Sequence, residues 1–208
     1  SWEGEVFGLG EGQGLKFGER RDIPVFLGTF GPKGCRLAGE IADGVRAAAQ
    51  WNPSYMIQAR EWIEQGAQDA NRSVDEVDIT IENWTCLHPD REKARQHARE
   101  ILSTFLPELG PLLEFYSIPE EEIEAARAAS IHDETEALER ISDDTLDNFM
   151  AAGNIEDLRR GLDRIEEAGF KEVSFSGVLG PDTELALDIL CDEIGSRRSK
   201  DKEGKSTS

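Results

Sequence analysis

The stretch that decides the fold is IPVFLGTFGPKGCRLAGEIADGV, residues 23–45. It begins with a mostly apolar run over 23–28, which predicts a strand buried on both faces, as in a parallel sheet. A short loop containing two glycines follows, and Pro32 fits the first turn of a helix that is predicted to end at Asp43-Gly44. The stretch therefore predicts a strand, a glycine loop and a helix, an arrangement that holds a phosphate in many α/β proteins.

The same order of strand and helix repeats along the chain. Three more strands are predicted at 45–49, 77–87 and 172–176, with helices at 52–71, 90–106, 154–168 and 182–194. Strands that alternate with helices indicate a parallel sheet with right-handed crossovers. We therefore predict an α/β fold of four strand–helix units with a helical insertion, which is half of a TIM (β/α)8 barrel. In such barrels the loops that follow the strands form the active face.

Three segments lie outside this repeat. Residues 1–20 contain six glycines and predict a loose β-hairpin, with 2–7 against 15–17. Residues 107–151 contain several proline breaks and are too long for a simple connection, so a helical excursion is predicted there. Residues 195–208 contain no apolar side chain and are predicted to form a disordered tail, which leaves 1–194 as the folded domain.

The charge of the chain restricts its partners. The sequence has 43 acidic and 23 basic residues, a formal net charge of -20. Nucleic acid and anionic membrane are therefore not expected as partners, because neither would find a basic patch. We also expect no membrane span and no signal peptide, since no long apolar run is present. The poverty in lysine favours a protein adapted to high salt over an ordinary acidic protein.

The cysteines and histidines are not spaced along the sequence as metal ligands are. The three cysteines, Cys35, Cys86 and Cys191, are far apart and odd in number, so neither a disulfide framework nor a zinc site is predicted. We interpret them as small buried side chains in a reducing compartment, the cytoplasm. The histidines are interpreted as surface or core residues and no metal site is predicted: His88, His97 and His132.

Two glycine-containing loops are candidate anion sites. In GTFGPK, residues 28–33, small residues allow a ligand to approach the backbone, helix-start amides attract an anion, and Lys33 adds a charge. The loop GVLGPD, residues 177–182, repeats this pattern after the last predicted strand, where barrels often bind phosphate. In both loops a tight turn without a ligand is an equally simple explanation.

A polar group lies near the active end of the third predicted strand. Glu82 and Asn83 supply a carboxylate and an amide beside the aromatic ring of Trp84, which together could contact a ring-shaped ligand. The alternation of the strand favours a different arrangement, in which Glu82 or Trp84 faces the outer helical layer.

The quoted stretch also resembles a segment of the luciferase-like superfamily, and in particular its coenzyme F-420-dependent branch, the 5,10-methylenetetrahydromethanopterin reductases. SWEGEVF, residues 1–7, looks like the hairpin of that family, and AGFKEVSFSGVLGPDTELALDIL, residues 168–190, resembles the C-terminal motif of the reductase branch. AAGNIEDLRR, residues 151–160, lies where the family has a Gly-Thr-Pro-Glu-Asp motif, with Asn154-Ile155 in place of Thr-Pro.

The resemblance implies a function. Members are eight-stranded barrels that bind a flavin or deazaflavin at the carboxyl ends of the strands. The reductase branch transfers a hydride from reduced F-420 to a methylene-tetrahydropterin, in one-carbon metabolism and without a metal. The resemblance would place five residues near the cofactor, in addition to Lys33 from the loop pattern: Gly28, Thr29, Phe30, Gly31 and Gly177.

The chain also departs from the family pattern. It matches only the C-terminal half of such an enzyme, so the catalytic residues of the other half cannot be assigned, and we expect little or no activity from this chain alone. Pairing with the missing half, or with a second copy in a homo-oligomer, would cover its exposed edges. Two alternatives stay open: an FMN-dependent monooxygenase of the same superfamily, and a catalytically silent half-barrel that acts in assembly. Arg46 lies in a strand that is normally apolar.

Overall fold

The computed structural model describes residues 2–4, 8–11 and 23–205, which contain seven strands and eight α-helices. The strands are β1 (Trp2–Glu3), β2 (Gly8–Leu9), β3 (Phe26–Gly28), β4 (Gly44–Ala47), β5 (Asp78–Leu87), β6 (Met150–Gly153) and β7 (Glu172–Leu179). The helices are α1 (Pro32–Ile41), α2 (Ser54–Asp69), α3 (Arg91–Phe105), α4 (Pro111–Phe115), α5 (Glu120–His132), α6 (Asp143–Phe149), α7 (Ile155–Glu167) and α8 (Thr183–Lys205). Short 3-10 turns cover Val74–Glu76, Leu106–Glu108 and Thr135–Arg140.

Strand β5 is the centre of a parallel sheet. Thr80 pairs on both sides, with Arg46 of β4 and with Glu172 of β7. Trp84 likewise pairs with Met150 of β6 and with Ser176 of β7. Strands β4 and β6 therefore follow one another along one edge of β5, β7 occupies the other edge, and β3 pairs with β4. Parallel strands alternating with helices confirm the predicted α/β fold of a half-barrel.

The sheet has one strand more than was predicted. Residues 150–151 were assigned to the helical excursion, but Met150–Gly153 forms β6 and pairs with residues 84–87. The segment Met-Ala-Ala-Gly is short and shows no alternation, so only its hydrogen bonds to the upper half of β5 make it a strand. Helix α7 therefore follows a strand of its own.

Strand β7 is also longer than predicted. It was expected to end at 176, but it continues to Leu179 through an irregularity opposite Trp84 and Cys86. Gly177 lies in this bulge with φ 89°, a conformation that glycine adopts without strain.

The end of the chain differs from the prediction as well. Residues 195–208 were expected to be disordered, but α8 continues through Lys205. Arg197 ion-pairs with Glu193 on its own helix and with Asp163 and Glu166 on α7, at 2.8, 2.6 and 3.3 Å. Beyond the last apolar residues, the helix is held by ion pairs. Such contacts leave no apolar pattern in the sequence, so the prediction missed this part of α8.

The N-terminal hairpin is described only in part. Strand β1 pairs antiparallel with β2, with Trp2 opposite Leu9. The predicted partner strand, 15–17, lies outside the described residues.

The helical excursion is fixed to the sheet by a buried arginine. Residues 106–149 contain α4, α5, α6 and two 3-10 turns. Arg95 of α3 is fully buried and donates hydrogen bonds to the Asp147 carboxylate at 2.8 Å and to the carbonyl oxygens of Asp143 and Ala152 at 2.9 and 3.2 Å. Arg99 also donates to the Asp143 carboxylate, at 2.5 Å. Helix α3, helix α6 and strand β6 are thus tied together by charge-assisted hydrogen bonds.

The two faces of the sheet have different environments. One face carries apolar side chains that are buried under the helices, among them Val45, Ala47 and Ile81. The opposite face carries Phe26 and Arg46, both exposed. Because side chains alternate along a strand and paired residues share a face, the second set defines one continuous surface, which we call the open face. Helix α3 covers part of this face, where Trp84 stacks on Phe105 and the Cys86 thiol donates to the carbonyl oxygen of Ala94.

The cysteines differ in burial. Cys35 and Cys86 are buried, as predicted, and burial raises their pKa values to about 11 and about 12, with Glu100 adding to the shift of Cys86, so both thiols are protonated and unreactive. Cys191 is exposed, so the prediction of a buried side chain is wrong there. No helix in the described part of the chain is long and apolar enough to cross a membrane.

Helices α1 and α2 pack through two glycines. A Cβ atom at Gly39 would overlap the carbonyl oxygen of Ile63, and one at Gly66 would overlap the carbonyl oxygen of Arg36. The two backbones therefore approach more closely than any larger residue would allow.

We expect Gly66→Ala to lower the free energy of unfolding by about 1–3 kcal/mol, because the new methyl group overlaps backbone of the neighbouring helix. Gly195→Ala is the matched control: no described atom lies within 4 Å of its Cβ position, and alanine should add about 0.5–1 kcal/mol through helix propensity. Urea unfolding of both variants measures the two values. Equal stability of the two variants would contradict the close packing.

The ionised Asp143 carboxylate makes the stability of the protein depend on pH. Burial alone would raise the pKa of Asp143, but the hydrogen bond and charge of Arg95, together with the charges of Arg99 and Arg91, hold this pKa below its usual value. A carboxyl with a depressed pKa contributes stability above its unfolded pKa and loses that contribution as the pH falls through its folded pKa. The stability difference between the wild type and Asp143→Asn should therefore be largest near neutral pH and shrink below about pH 4.

Denaturant unfolding of both proteins between pH 7 and pH 2 measures this difference. Asp133→Asn, which changes an exposed carboxyl without an ion pair among the described residues, is the control and should show no such trend. A wild type and Asp143→Asn that lose stability in parallel would refute the assigned role of Asp143.

Candidate functional site

The first glycine loop has an open side at the carboxyl end of β3. Gly28 ends the strand and Gly31 precedes α1. No described atom lies within 4 Å of a Cβ position built on either residue. The amide of Thr29 donates to the carbonyl oxygen of Arg46 at 3.2 Å, which fixes the loop to β4. The loop is therefore anchored on one side and accessible on the other.

The start of α1 offers hydrogen-bond donors to an anion. Among the described residues no side chain caps this helix, and its first turn contains no acidic residue. The first intrahelical bond runs from the Cys35 amide to the Gly31 carbonyl, which leaves the amides of Lys33 and Gly34 without a helical acceptor. The exposed Lys33 adds a positive charge beside them. Amide donors, helix dipole and lysine together suit a phosphate or a carboxylate.

The side chains of two predicted contact residues, Thr29 and Phe30, pack within the protein. Phe30 is half-buried and packs against the hydrophobic core. The Thr29 side chain lies against Gly34, where any Cβ atom would overlap it. Both side chains hold the loop in shape. The surface that a ligand would meet consists of the backbone at Gly28 and Gly31 together with Lys33.

The second glycine loop does not form an equivalent site. Gly177 lies inside β7 and not in the loop that follows it. Gly180, with φ 143°, packs on the backbone of Leu87. The carboxylate of Asp182 accepts from the amides of Glu184 and Leu185, both at 3.1 Å, so the protein's own carboxylate already occupies the start of α8. The expectation of two matching anion loops is therefore wrong for this loop.

The polar group on β5 divides between the two faces of the sheet. By alternation Glu82 lies on the open face, and its register partner is Ser174 of β7. Trp84 follows on the same face and stacks on Phe105 of α3, with 4.5 Å between ring centroids. Asn83 lies on the face that is packed under the helices, where it is fully buried and both polar atoms of its carboxamide lack a described partner. The expectation that Glu82 or Trp84 faces the helical layer is confirmed for Trp84, whose ring packs on α3.

Arg46 was not assigned as a candidate site residue from the sequence. It lies on the open face next to the first glycine loop, with its guanidinium 5.1 Å from the ring centroid of Phe26. No acidic partner of this guanidinium is found among the described residues. The signal in the sequence was a single arginine in a short, otherwise small and apolar strand, Gly-Val-Arg-Ala.

The histidines have local partners. His88 accepts a hydrogen bond from the Asp90 amide at 2.9 Å, and His97 contacts Glu100 at 3.0 Å. Within the described ranges, no group of His, Cys, Asp and Glu side chains has the arrangement of a metal site.

Comparison with known proteins identifies the family. The sequence model of the luciferase-like monooxygenases matches residues 1–172. The chain belongs to this family. The family assignment agrees with the glycine loop at the carboxyl end of a parallel strand and confirms the resemblance seen in residues 23–45.

Relatives within the family indicate the branch. A protein of Methanopyrus kandleri named 5,10-methylenetetrahydromethanopterin reductase is 32% identical over 177 residues, which cover 83% of this chain and 50% of the relative. A protein of the same name from Archaeoglobus fulgidus is 28% identical and covers 93% of this chain and 59% of its own length. The solved structure of the coenzyme F420-dependent tetrahydromethanopterin reductase from Methanopyrus kandleri matches with a TM-score of 0.71 and 31% identity, over 81% of this chain and 49% of that one. The chain thus spans about half the length of these relatives.

The occupied start of α8 generates a testable expectation. Asp182→Ala should lower the free energy of unfolding by about 1 kcal/mol, because the amides of Glu184 and Leu185 lose their acceptor. Asp188→Ala, a change in the same helix outside its first turn, serves as the control and should be close to neutral. Urea unfolding compares the two variants. Equal losses would show that Asp182 does not cap the helix.

Proposed function

We propose that this chain is the C-terminal half of an F-420-dependent oxidoreductase and that the loop 28–33 holds the phosphate of the cofactor's side chain. The observation that carries the proposal is the open start of α1, where amide donors and Lys33 face solvent beside two glycines. The solved reductase that is named as coenzyme F420-dependent matches 81% of this chain, which supports F-420 as the anionic ligand. The bound deazaflavin would supply the hydride chemistry.

The chain itself contributes binding and orientation. The amides of Lys33 and Gly34 donate to the phosphate, and the dipole of α1 strengthens these bonds. Strand β3 and the Thr29–Arg46 hydrogen bond fix the loop at the carboxyl end of the sheet. The cofactor would then extend from the loop across the open face, where position and field decide the reaction.

The substrate in this proposal is a methylene-tetrahydropterin, whose methylene carbon receives the hydride and becomes a methyl group. The names of the two relatives support this substrate class. The open face and the length of the relatives support pairing with a complementary half, without which we expect little activity. The net charge of -20 supports a salt-rich cytoplasm as the working environment.

A flavin-dependent monooxygenase is the second candidate, because the matching family model carries that description. The two candidates differ in a simple observable: flavin absorbance in the purified protein would favour the monooxygenase. Binding of neither flavin nor deazaflavin would favour a silent assembly module.

The decisive experiment is a titration of F-420 fluorescence with the chain in molar KCl. We expect saturable quenching by the wild type, and an affinity lowered by about tenfold or more in Gly31→Asp, because the new carboxylate lies beside the phosphate site. Gly195→Asp introduces the same charge in α8, where a Cβ atom would meet no other described element within 4 Å, and should bind as the wild type does.

If the two aspartate variants bind F-420 with equal affinity, the loop 28–33 is not part of the cofactor site. Absence of quenching by the folded wild-type chain would overturn the proposed cofactor binding by this half.

A further inference from the structure

The first half of helix α8 is only partly covered by the protein. On one side it packs against the core through three buried residues: Ala186, Ile189 and Leu190. On the adjoining side Leu187 and Ile194 stay 44% and 36% exposed, and Cys191 between them is exposed as well. Residues spaced three and four apart share one face of a helix, so these three form an apolar stripe, which we call the α8 stripe.

The charge of α8 reverses along its length. Over 183–194 the helix has four acidic residues and no basic one, whereas over 195–205 it has five basic and two acidic residues. The α8 stripe follows this reversal, because Glu184 continues the same face before the stripe and Arg198 continues it after the stripe. Both side chains are exposed, and the described residues contain no ion pair to either of them.

We propose that α8 pairs with α8 of a second copy of this chain, antiparallel and about a two-fold axis near Cys191. In this arrangement Leu187 of each helix faces Ile194 of the other copy, and Glu184 faces Arg198 of the other copy. A parallel pair would bring the two acidic halves together and the two basic halves together, so the charges select the antiparallel orientation. The α8 stripe is thus complementary to itself, as a two-fold interface requires.

A groove beside the α8 stripe extends the contact surface. It lies between α7, β7 and α8, and its apolar lining includes Leu162, Val173, Phe175 and Ile194. Because Ile194 belongs to the groove and to the stripe, the two surfaces are continuous. The second helix therefore meets more apolar area than α8 alone would offer.

The size of the contact sets the strength of the dimer. Stable interfaces bury about 1,200–2,000 Å² in total, and one pair of helices with a groove at its side falls at the lower end of this range. We therefore expect a dissociation constant in the micromolar range, with monomers at low protein concentration and dimers at high concentration. The apolar contacts supply most of the affinity, whereas the exposed ion pairs set the orientation and weaken as salt is added.

Sedimentation equilibrium of the full chain, from about 5 to about 500 μM, measures the association. We expect a monomer–dimer equilibrium in the wild type and a dissociation constant raised about tenfold or more in Leu187→Asp, because the new carboxylate would lie in the apolar contact. Ile131→Asp is the matched control, since Ile131 of α5 is an apolar side chain that is 68% exposed and lies outside α8. This variant should associate as the wild type does.

An exchange of charges tests the antiparallel orientation. Glu184→Arg alone and Arg198→Glu alone each place like charges opposite one another, and each should weaken the dimer about fivefold or more at low salt. The double variant has opposite charges again, with the signs reversed, and should dimerise within about twofold of the wild type. A short bismaleimide should link two copies through the exposed Cys191 and should link none in Cys191→Ser, because the other two cysteines are buried.

A chain that stays monomeric at the highest concentration would overturn the inference and leave the α8 stripe to another partner, such as a complementary half of the enzyme. A dimer that Leu187→Asp does not weaken, or a double variant that stays as weak as the single ones, would overturn it too. These measurements contain no F-420. A monomeric chain therefore leaves the proposed function intact, and a chain that does not bind F-420 leaves the pairing of α8 intact.

Discussion

The structure depends on one strand whose two edges are both hydrogen-bonded. Strand β5 pairs with β7 on one side and with β4 and then β6 on the other, so three strands from distant parts of the chain take their register from it. Two parallel strands can pair only if a long crossover connects them. The strand order therefore also determines where the helix of each crossover packs. The position of Glu82 relative to the end of β4, the bulge at Gly177 and the attachment of the helical excursion through β6 all follow from these registers.

The difference between the two faces of the sheet links the fold to the chemistry. The helix-packed face is mostly apolar, with α7 and α8 beside Val173 and Phe175, and the close contacts of Gly39 and Gly66 bring α1 and α2 together. The open face carries Arg46, Glu82 and Ser174 beside Phe26 and Trp84, and α3 covers it at Trp84. The uncapped start of α1 lies at the carboxyl edge of the same sheet, close to Arg46.

The sequence predicted the elements whose pattern is local and missed those made by distant contacts. The apolar run of 23–28 and the alternation of 77–87 marked strands that the structure contains. Strand β6 was hidden because its four small residues become a strand only through pairing with β5. Gly31 and Pro32 have no side chain that could cap α1, so its free amides could be expected from the sequence. The sequence did not show that Asp182 caps α8, because the same residues also fit a second anion-binding loop. Alternation shows that Glu82 and Asn83 lie on opposite faces of the sheet, but it does not show which face the helices cover.

Helix α8 is attached to the rest of the protein in two different ways. Its first half buries Ala186, Ile189 and Leu190 against the core, while beyond Gly195, where side chains are described, Arg197 contacts α7 through Asp163, Glu166 and the carbonyl oxygen of Arg159. Apolar burial is insensitive to screening or strengthened by salting-out ions, whereas partly exposed ion pairs weaken as ionic strength rises. The two halves of one helix therefore respond in opposite directions to the same change of medium, and Gly195, the weakest helix former between them, is the point at which the distal half would detach as a separate unit.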